Sequence, residues 1–273
     1  MITIHPDHTA LLSSYRSVDD FLKIDIEIVR DFKNRKTGRF EIDGKGFYIK
    51  KHFECGFGAV LDELFHLRKP HIGAGHERAV LDKLHTIGIQ TMKVAAFGQE
   101  GKTLAGQRSF LLTDELTHVE SLEDICAQWP REKPAGAFKK TLLNEVAGIA
   151  RTLHDNGINH RDFYICHFLL DVSNPSNDYQ NQPMKLFLID LHRAQQRPRV
   201  PFRWRVKDIG GLYFSAMDIG LTDRDLFRFM RLYTGKSLRQ TLREDLRFWK
   251  AVRCRAAKIY RKEFGRVPQM HNC

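Results

Sequence analysis

Residues 153–171 read LHDNGINHRDFYICHFLLD and bring histidines, aspartates and a cysteine close together in the sequence. A zinc site would use His154, His160 and His167 as its ligands. The six-residue step between the first two places them far apart around a helix, and Gly157 would interrupt that helix. A metal site built on these three histidines is therefore disfavoured.

A cysteine nucleophile paired with a histidine is a second interpretation of the same stretch. Cys166 and His167 are adjacent, and adjacent side chains do not face each other on a helix or a strand. A third interpretation takes His160-Arg161-Asp162 as a catalytic loop. A lone tripeptide is weak evidence, so the choice depends on the segments that flank it.

The flanking segments favour the catalytic loop. Apolar residues recur at helical spacing before it, and Gly157 ends that predicted helix. After it, the segment 184–195 reads as a buried strand that delivers Asp190. This order is typical of protein-kinase-like phosphotransferases, in which the loop aspartate, here Asp162, accepts the hydroxyl proton and the later aspartate holds Mg²⁺.

The N-terminal part supplies the groups that such a reaction needs for nucleotide phosphates. Residues 38–53 read as two strands joined at Asp43-Gly44, and Lys50 lies on the second strand in the motif GFYIK. A helix is predicted over residues 75–88, where Glu77 in the first turn can pair with Lys50. Their order relative to the two aspartates supports a phosphotransferase.

Two further predictions concern ATP and its metal ion. A carboxylate that closes a buried strand, such as Asp190, is costly unless it meets a cation, and magnesium carrying ATP phosphates would supply one. Thr113, Asp114 and Glu115 fall where two lobes are expected to join. Their backbone groups are the predicted hydrogen-bond partners of adenine.

The order of elements predicts an α+β, bilobal, protein-kinase-like fold. Residues 1–115 form a small β-rich N-lobe with one helix that binds ATP, and residues 116–273 form a larger helical C-lobe that carries catalysis and acceptor binding. A segment rich in turn residues is expected at 173–183. A long basic amphipathic helix is expected from Leu242 to Ile259.

Composition excludes several other classes of protein. The chain has 273 residues, 42% of them hydrophobic and 28% charged, as in ordinary globular proteins. Its five cysteines are scattered without a C-x-x-C pair, which favours reduced thiols over a disulfide framework. No apolar run is long enough to cross a bilayer and no signal peptide is recognised, so a cytoplasmic location is expected.

The net charge of +11 belongs to one segment. Residues 224–266 hold 14 Lys and Arg against 4 Asp and Glu, and the rest of the chain is almost neutral. Such a block suits an anionic membrane surface, nucleic acid, an acidic protein or a phosphorylated substrate. No recognised nucleic-acid-binding module accompanies it, so nucleic acid is not an expected partner.

Several long motifs resemble one known family across about residues 11–262. They are GINHRDFYICHFLLD, LIDLHRAQ, RWRVKDIGGLYFSAMDIGLT and SFLLTDELT, and they closely resemble the lipopolysaccharide core heptose(I) kinases of Gram-negative bacteria. The resemblance implies a kinase-like enzyme that transfers the γ-phosphate of ATP to the first heptose of the inner core. It implies roles for Asp162 as the catalytic aspartate, Asp190 as a metal ligand, Lys50 as the phosphate-binding lysine and Glu77 as its partner.

The sequence departs from the wider protein-kinase pattern in three places. His167 stands where that pattern has a magnesium-binding asparagine, so it is a candidate metal ligand or a group that orients Asp162 or a phosphate. Leu191-His192 replaces the Phe-Gly that usually follows the metal-binding aspartate. The 38–46 hairpin lacks G-x-G-x-x-G, which leaves the loop that covers the phosphates undefined.

Two other functions remain open from the sequence. The same fold could phosphorylate a protein or another small molecule, because the sequence does not show which residues form the acceptor pocket. A non-catalytic binding protein would not need all four of the kinase residues. The expected partners are the heptose-containing lipopolysaccharide precursor, the cytoplasmic leaflet of the inner membrane through peripheral contact, and an acidic protein such as an acyl-carrier-type protein.

Overall fold

The computed structural model describes residues 1–32, 34–54, 73–101, 103, 106–173 and 184–268. Contacts between Cα atoms divide the chain into two compact units. The first unit comprises residues 1–83 and 92–117, and the second comprises residues 84–91 and 118–273. Most of the turn-rich segment predicted at 173–183 lies outside the described residues, and the assignment of ATP and acceptor binding to separate lobes stays a prediction.

The first unit combines an antiparallel sheet with helices. The bounds of its elements are β1 Ile2–Ile4, α1 Val18–Lys23, β2 Glu27–Phe32, β3 Arg35–Ile42, β4 Lys45–His52, α2 Gly75–Thr86, β5 Val94–Glu100 and β6 Arg108–Asp114. The strand order in the sheet is β1-β5-β6-β4-β3-β2. The prediction of a β-rich N-terminal part is confirmed.

The hairpin between β3 and β4 forms at the predicted residues. Asp43 and Gly44 both have positive φ, at 49° and 77°, as a two-residue turn between twisted strands requires. The pairing fixes the register of β4, and Phe47 and Ile49 are fully buried while Lys50 is only partly buried. Alternation along this strand therefore sends Lys50 to the face opposite the core.

The core of the first unit lies on that apolar face of the sheet. Phe21 of α1 stacks on Phe110 of β6 with ring centroids 4.0 Å apart. Phe47, Ile49 and Leu112 complete the centre of the cluster, and each is fully buried. Packing of α1 against the central strands keeps β4 in place, which matters because β4 carries Lys50.

The second unit is mainly helical, with short strands between the helices. Its elements are β7 Val119–Ser121, α3 Leu122–Cys126, α4 Gly136–Asp155, β8 Ile158–Asn159, β9 Phe168–Asp171, β10 Leu186–Leu188, β11 Gln195–Gln196, α5 Phe202–Ser215, α6 Asp223–Thr234, α7 Leu238–Glu244 and α8 Leu246–Phe264. Strands β10, β9 and β7 form one small sheet, and β11 pairs with β8. The predicted change from a β-rich to a helical part is confirmed.

Helix α4 leads into the catalytic-loop candidate as predicted. Leu142, Val146 and Leu153 are buried at helical spacing on one face. Gly157 follows the helix with φ of 75°, and a Cβ there would lie 1.8 Å from the backbone oxygen of Arg197. Only glycine fits this position, so the chain turns sharply into strand β8.

The long basic helix begins later than predicted. Leu242 belongs to the separate helix α7, and α8 starts at Leu246, because Asp245 leaves the helical region with φ of −110° and ψ of 12°. Helix α8 buries Val252, Ala256 and Tyr260 against the rest of the second unit. Within the described residues, no helix is long and apolar enough to cross a membrane.

Candidate active site

Lys50 and Glu77 meet in the first unit as predicted. The Nζ atom of Lys50 donates to Oε1 of Glu77 at 2.5 Å, and the Glu77 side chain is only 5% exposed. The carboxylate lies in the first turn of α2, where the helix dipole stabilises a negative charge. A buried carboxylate that pairs with a partly exposed lysine fixes the lysine head in one position.

The predicted adenine-binding residues lie at the end of β6 with most of their groups already engaged. The backbone N–H of Glu115 donates to the Gly46 oxygen at 3.1 Å, and its carboxylate accepts from Arg39 at 2.8 Å. Asp114 pairs with His8 at 2.9 Å, and Thr113 is buried. Adenine contacts at Thr113 and Glu115 therefore stay a prediction.

The backbone of the catalytic-loop candidate is fixed by Asp208 on helix α5. This carboxylate accepts from the backbone N–H of His160 at 2.6 Å and from that of Arg161 at 2.8 Å. Arg161 has a φ of 76°, a left-handed conformation that an L side chain adopts at a cost. The buried charge of Asp208 therefore stabilises a strained turn immediately before Asp162.

His160 fixes the loop to the segment that carries Asp190. Its side chain is fully buried, and its Nε2 donates to the backbone oxygen of Ile189 at 2.9 Å. Burial lowers the pKa of His160, which keeps the ring neutral with the proton on Nε2. His160 thus has a structural role. Its hydrogen bond to Ile189 connects the loop that carries Asp162 to the segment that carries Asp190.

The carboxylate of Asp162 lies between two cations. Nη1 of Arg193 donates to both of its oxygens, at 2.9 and 3.0 Å. Nζ of Lys207, on helix α5, lies 3.9 Å from Oδ1. These contacts fix the position of the Asp162 carboxylate, which can accept a hydrogen bond from a substrate hydroxyl.

His167 contacts both aspartates of the predicted site. Its Nδ1 lies 2.7 Å from the backbone oxygen of Asp162, and a carbonyl only accepts, so Nδ1 carries a proton. In the neutral ring the free lone pair is then on Nε2, which lies 3.5 Å from Oδ2 of Asp190. The hydrogen bond made by Nδ1 thus orients Nε2, the candidate metal-binding nitrogen of His167, beside the carboxylate of Asp190.

Asp190 follows strand β10 in a left-handed conformation, with φ of 60°. Its Oδ1 also accepts from His192 Nδ1 at 2.5 Å. Across the described part of the chain, no cluster of three or more His, Cys, Asp or Glu side chains is arranged to hold a metal ion. Asp190 and His167 therefore offer two ligands, which fits an ion that takes most of its other ligands from a nucleotide and water.

The two disfavoured interpretations of residues 153–171 find no support. His154 is bonded to Tyr233 at 2.8 Å and to Asp208 at 3.3 Å, so it packs inside the helical unit. Burial raises the pKa of the Cys166 thiol to about 11, which leaves it protonated at neutral pH. A thiol in that form is a poor nucleophile.

A separate apolar cavity of about 190 Å³ lies inside the helical unit. Its walls are almost entirely apolar and include Leu142, Ile165, Leu212, Met230 and Trp249. Lys139, Lys250 and Arg253 are the basic residues at this cavity. No local sequence pattern predicts the cavity, because its walls come from segments far apart in the chain.

Three residues of the site were not predicted from the sequence. Asp208, Arg193 and Lys207 all contact the catalytic-loop candidate. Two of them lie in RWRVKDIGG, where a buried aspartate beside a lysine on a helix was the available signal. An aspartate that is 1% exposed on a helix needs polar partners from elsewhere.

The chain is similar to known lipopolysaccharide kinases. A family model described as the lipopolysaccharide kinase (Kdo/WaaP) family matches residues 19–233. The lipopolysaccharide core heptose(I) kinase WaaP of Escherichia coli K12 is 43% identical over 235 residues, which cover 85% of this chain and 88% of that protein. WaaP of Pseudomonas aeruginosa PAO1 is 39% identical over 239 residues, 87% of each chain.

A solved structure described as WaaP in complex with acyl carrier protein superposes with a TM-score of 0.81. It shares 35% sequence identity, and the match covers 95% of this chain and 99% of that one. The predicted kinase-like fold is therefore confirmed, and the predicted resemblance to the heptose kinases is confirmed by the relatives. The chain belongs to the lipopolysaccharide kinase (Kdo/WaaP) family.

Proposed function

We propose that this protein is an ATP-dependent kinase that phosphorylates the first heptose of the lipopolysaccharide inner core. The observation that carries the proposal is the loop in which Asp208 fixes the backbone before Asp162 and Arg193 holds the Asp162 carboxylate. A carboxylate on a rigid turn can align a sugar hydroxyl for attack on a phosphoryl group. The relatives named as heptose(I) kinases give the identity of the acceptor.

The roles of the side chains follow from their contacts. Asp162 would accept the hydrogen bond from the heptose hydroxyl and take its proton as the new phosphorus–oxygen bond forms and the bond between the γ-phosphorus and the departing ADP oxygen breaks. Lys50, fixed by Glu77, would bind ATP phosphates as a positive charge. Asp190 and His167 are the residues that would hold Mg²⁺, which neutralises phosphate charge during transfer.

The most direct test of the acceptor uses the core oligosaccharide of cells with and without this protein. Mass spectrometry should show one inner-core phosphate, located on the first heptose, that is absent from the cells lacking the protein. Re-expression of the wild-type chain should restore this phosphate, and re-expression of Asp162→Asn should not. Unchanged core phosphorylation, or label from ATP on protein alone, would contradict the proposal and favour a different acceptor.

An acyl carrier protein is the partner we propose. The solved relative is described as a complex with that protein, and helix α8 is strongly basic with lysines and arginines exposed along it. The apolar cavity could accept a fatty acyl chain, since its walls offer almost no hydrogen-bonding groups. Co-elution with acylated carrier protein that disappears for the unacylated form would support binding of the acyl chain in the cavity, whereas equal co-elution of both forms would contradict it.

We also propose that the protein works at the cytoplasmic leaflet of the inner membrane without crossing it. The basic block of residues 224–266 would be attracted to anionic lipid at that surface. Sedimentation with vesicles should then increase with the fraction of anionic lipid and fall as salt is raised. Equal sedimentation with neutral and anionic vesicles would contradict this electrostatic contact.

A further inference from the structure

An unusual group of cations surrounds Trp204 in helix α5. The charged ends of Arg161, Arg203 and Arg197 lie 5.1, 5.1 and 5.5 Å from the centre of its indole ring, and Nζ of Lys207 lies at 5.7 Å. Each position is within the range of a cation–π contact. We call these four residues, together with Arg193, the Trp204 cluster.

The Trp204 cluster adjoins the catalytic aspartate. Lys207 connects the cluster to Asp162, because its Nζ lies over the indole ring and is 3.9 Å from Oδ1 of Asp162. Arg193 holds both oxygens of the same carboxylate, and its side chain is 43% exposed. An anion bound by these two cations would therefore lie next to the substrate hydroxyl that Asp162 orients.

The cluster is poorly neutralised within the described part of the chain. Arg197 donates to two neutral groups, Oδ1 of Asn159 and Oε1 of Gln195, each at 2.6 Å. No carboxylate of the described residues forms an ion pair with Arg197 or Arg203. Asp162 is the acid shared by Arg193 and Lys207, and Asp208 also attracts Arg161 and Lys207. Two carboxylates therefore act on five cations, and positive charge is in excess.

The charges also act on one another. Burial first, and then repulsion from Arg193, lowers the pKa of Arg161. Burial lowers the pKa of Lys207 to about 8 despite the attraction of Asp162, and the neighbouring arginines add to the lowering. A partly buried cation cluster with this mutual repulsion would be relieved by a bound anion.

We propose that the Trp204 cluster is a subsite for an anionic group of the acceptor saccharide, a carboxylate or a phosphate. Guanidinium groups bind both of these anions through paired, parallel hydrogen bonds. The arriving anion would compete with Asp162 for Arg193. The Asp162 carboxylate would then be free to accept a hydrogen bond from the heptose hydroxyl. This inference rests on the proposed function, and it adds that the site selects an acceptor that carries a negative charge.

The test compares three forms of core oligosaccharide from cells that lack the kinase. One is intact, one has its carboxylates reduced to alcohols, and one has its phosphates removed. With the wild-type enzyme, the form that lacks the recognised anion should show an acceptor KM raised by about tenfold or more. Equal KM values for all three forms would overturn the subsite.

Variants then connect the effect to the cluster. Arg203→Gln changes an exposed side chain, and it should raise the KM of the intact acceptor with the KM of ATP unchanged. The same variant should have little further effect on the form that lacks the anion, because the interaction is already gone. Arg131→Gln, an exposed arginine outside the cluster, is the matched control and should behave as wild type. A raised KM for ATP instead would assign the cluster to the nucleotide and refute the inference.

A binding measurement separates this inference from the proposed function. Calorimetric titration of intact oligosaccharide requires no phosphate transfer, and Arg203→Gln should weaken binding while Arg131→Gln should not. Equal binding by wild type and Arg203→Gln refutes the subsite even if the wild type transfers phosphate to heptose. Absence of transfer by the wild type refutes the proposed function, whatever the titration shows.

Discussion

Replacement of Asp208 with asparagine is expected to damage both stability and activity. The aspartate is 1% exposed and accepts from two backbone N–H groups, of His160 at 2.6 Å and Arg161 at 2.8 Å. His154 also lies 3.3 Å from one of its oxygens. Asparagine has a single acceptor oxygen, so at least one buried backbone donor would face an amide NH₂ group.

The magnitude follows from these contacts. A hydrogen bond to a charged group contributes about 1.5–3 kcal/mol, and a buried donor without a partner costs about 1–3 kcal/mol. Because the two effects overlap, we expect the free energy of unfolding to fall by about 2–4 kcal/mol. Arg161 would then be free to leave its φ of 76°. A shift of the following Asp162 by about 1 Å would reduce kcat by about 100-fold.

Denaturant unfolding and phosphate-transfer assays on the same preparation measure both effects. Asp218→Asn is the matched control, because Asp218 accepts from Tyr260 at 2.7 Å in the same unit but is 58% exposed. That control should change the unfolding free energy by less than about 1 kcal/mol and leave kcat unaltered. An Asp208→Asn protein with wild-type stability and wild-type kcat would refute the role given to Asp208.

Three further predictions test other parts of the structure. Gly157→Ala should destabilise by more than about 2 kcal/mol, because its Cβ would meet backbone and φ is positive, whereas Gly148→Ala within helix α4 should stabilise by about 0.5–1 kcal/mol. Glu77→Gln should lower kcat/KM for ATP about tenfold or more, since Lys50 loses its charged partner. The free energy of unfolding should rise with pH between about 8 and 10.5 through Lys207, whose pKa is lowered to about 8, because the unfolded chain binds the extra proton in that window.

Each of these has a result that would count against it. Equal melting temperatures for Gly157→Ala and Gly148→Ala would show that the turn tolerates a side chain. Wild-type ATP kinetics in Glu77→Gln would remove the positioning role of that carboxylate. Lys207→Met should flatten the rise in stability with pH by as much as about 3 kcal/mol, and an unchanged slope would mean that another group titrates.

Local sequence signals were enough to predict much of the fold and part of the site. Asp43-Gly44 predicted a hairpin because two residues with positive φ match the twist of strands, and both have positive φ. That hairpin sets the register of β4 and so the position of Lys50. The pairing of Lys50 with Glu77 was also predictable from the order of the elements. A lysine on a predicted strand is followed by an acidic residue in the first turn of the next predicted helix, and the two side chains are in contact.

Contacts between segments distant in sequence could not be predicted. Asp208 is 48 residues from His160, and Arg193 is 31 residues from Asp162, so no local periodicity links them. The apolar cavity has the same origin, because it is enclosed by several helices. The break at Asp245 was missed because apolar spacing continues across it from Leu242, although the backbone there leaves the helix.

The role of Asp162 in phosphorylation of the first heptose is tested by transfer of labelled phosphate from ATP to purified core oligosaccharide. Wild-type protein should place one phosphate on the first heptose in the presence of Mg²⁺. Asp162→Asn keeps the size of the side chain but removes its charge, and it should lower the rate by at least about 1,000-fold with its fold intact by circular dichroism. Wild-type rates in Asp162→Asn would contradict the catalytic role of Asp162. Label on a sugar other than heptose would contradict the proposed acceptor.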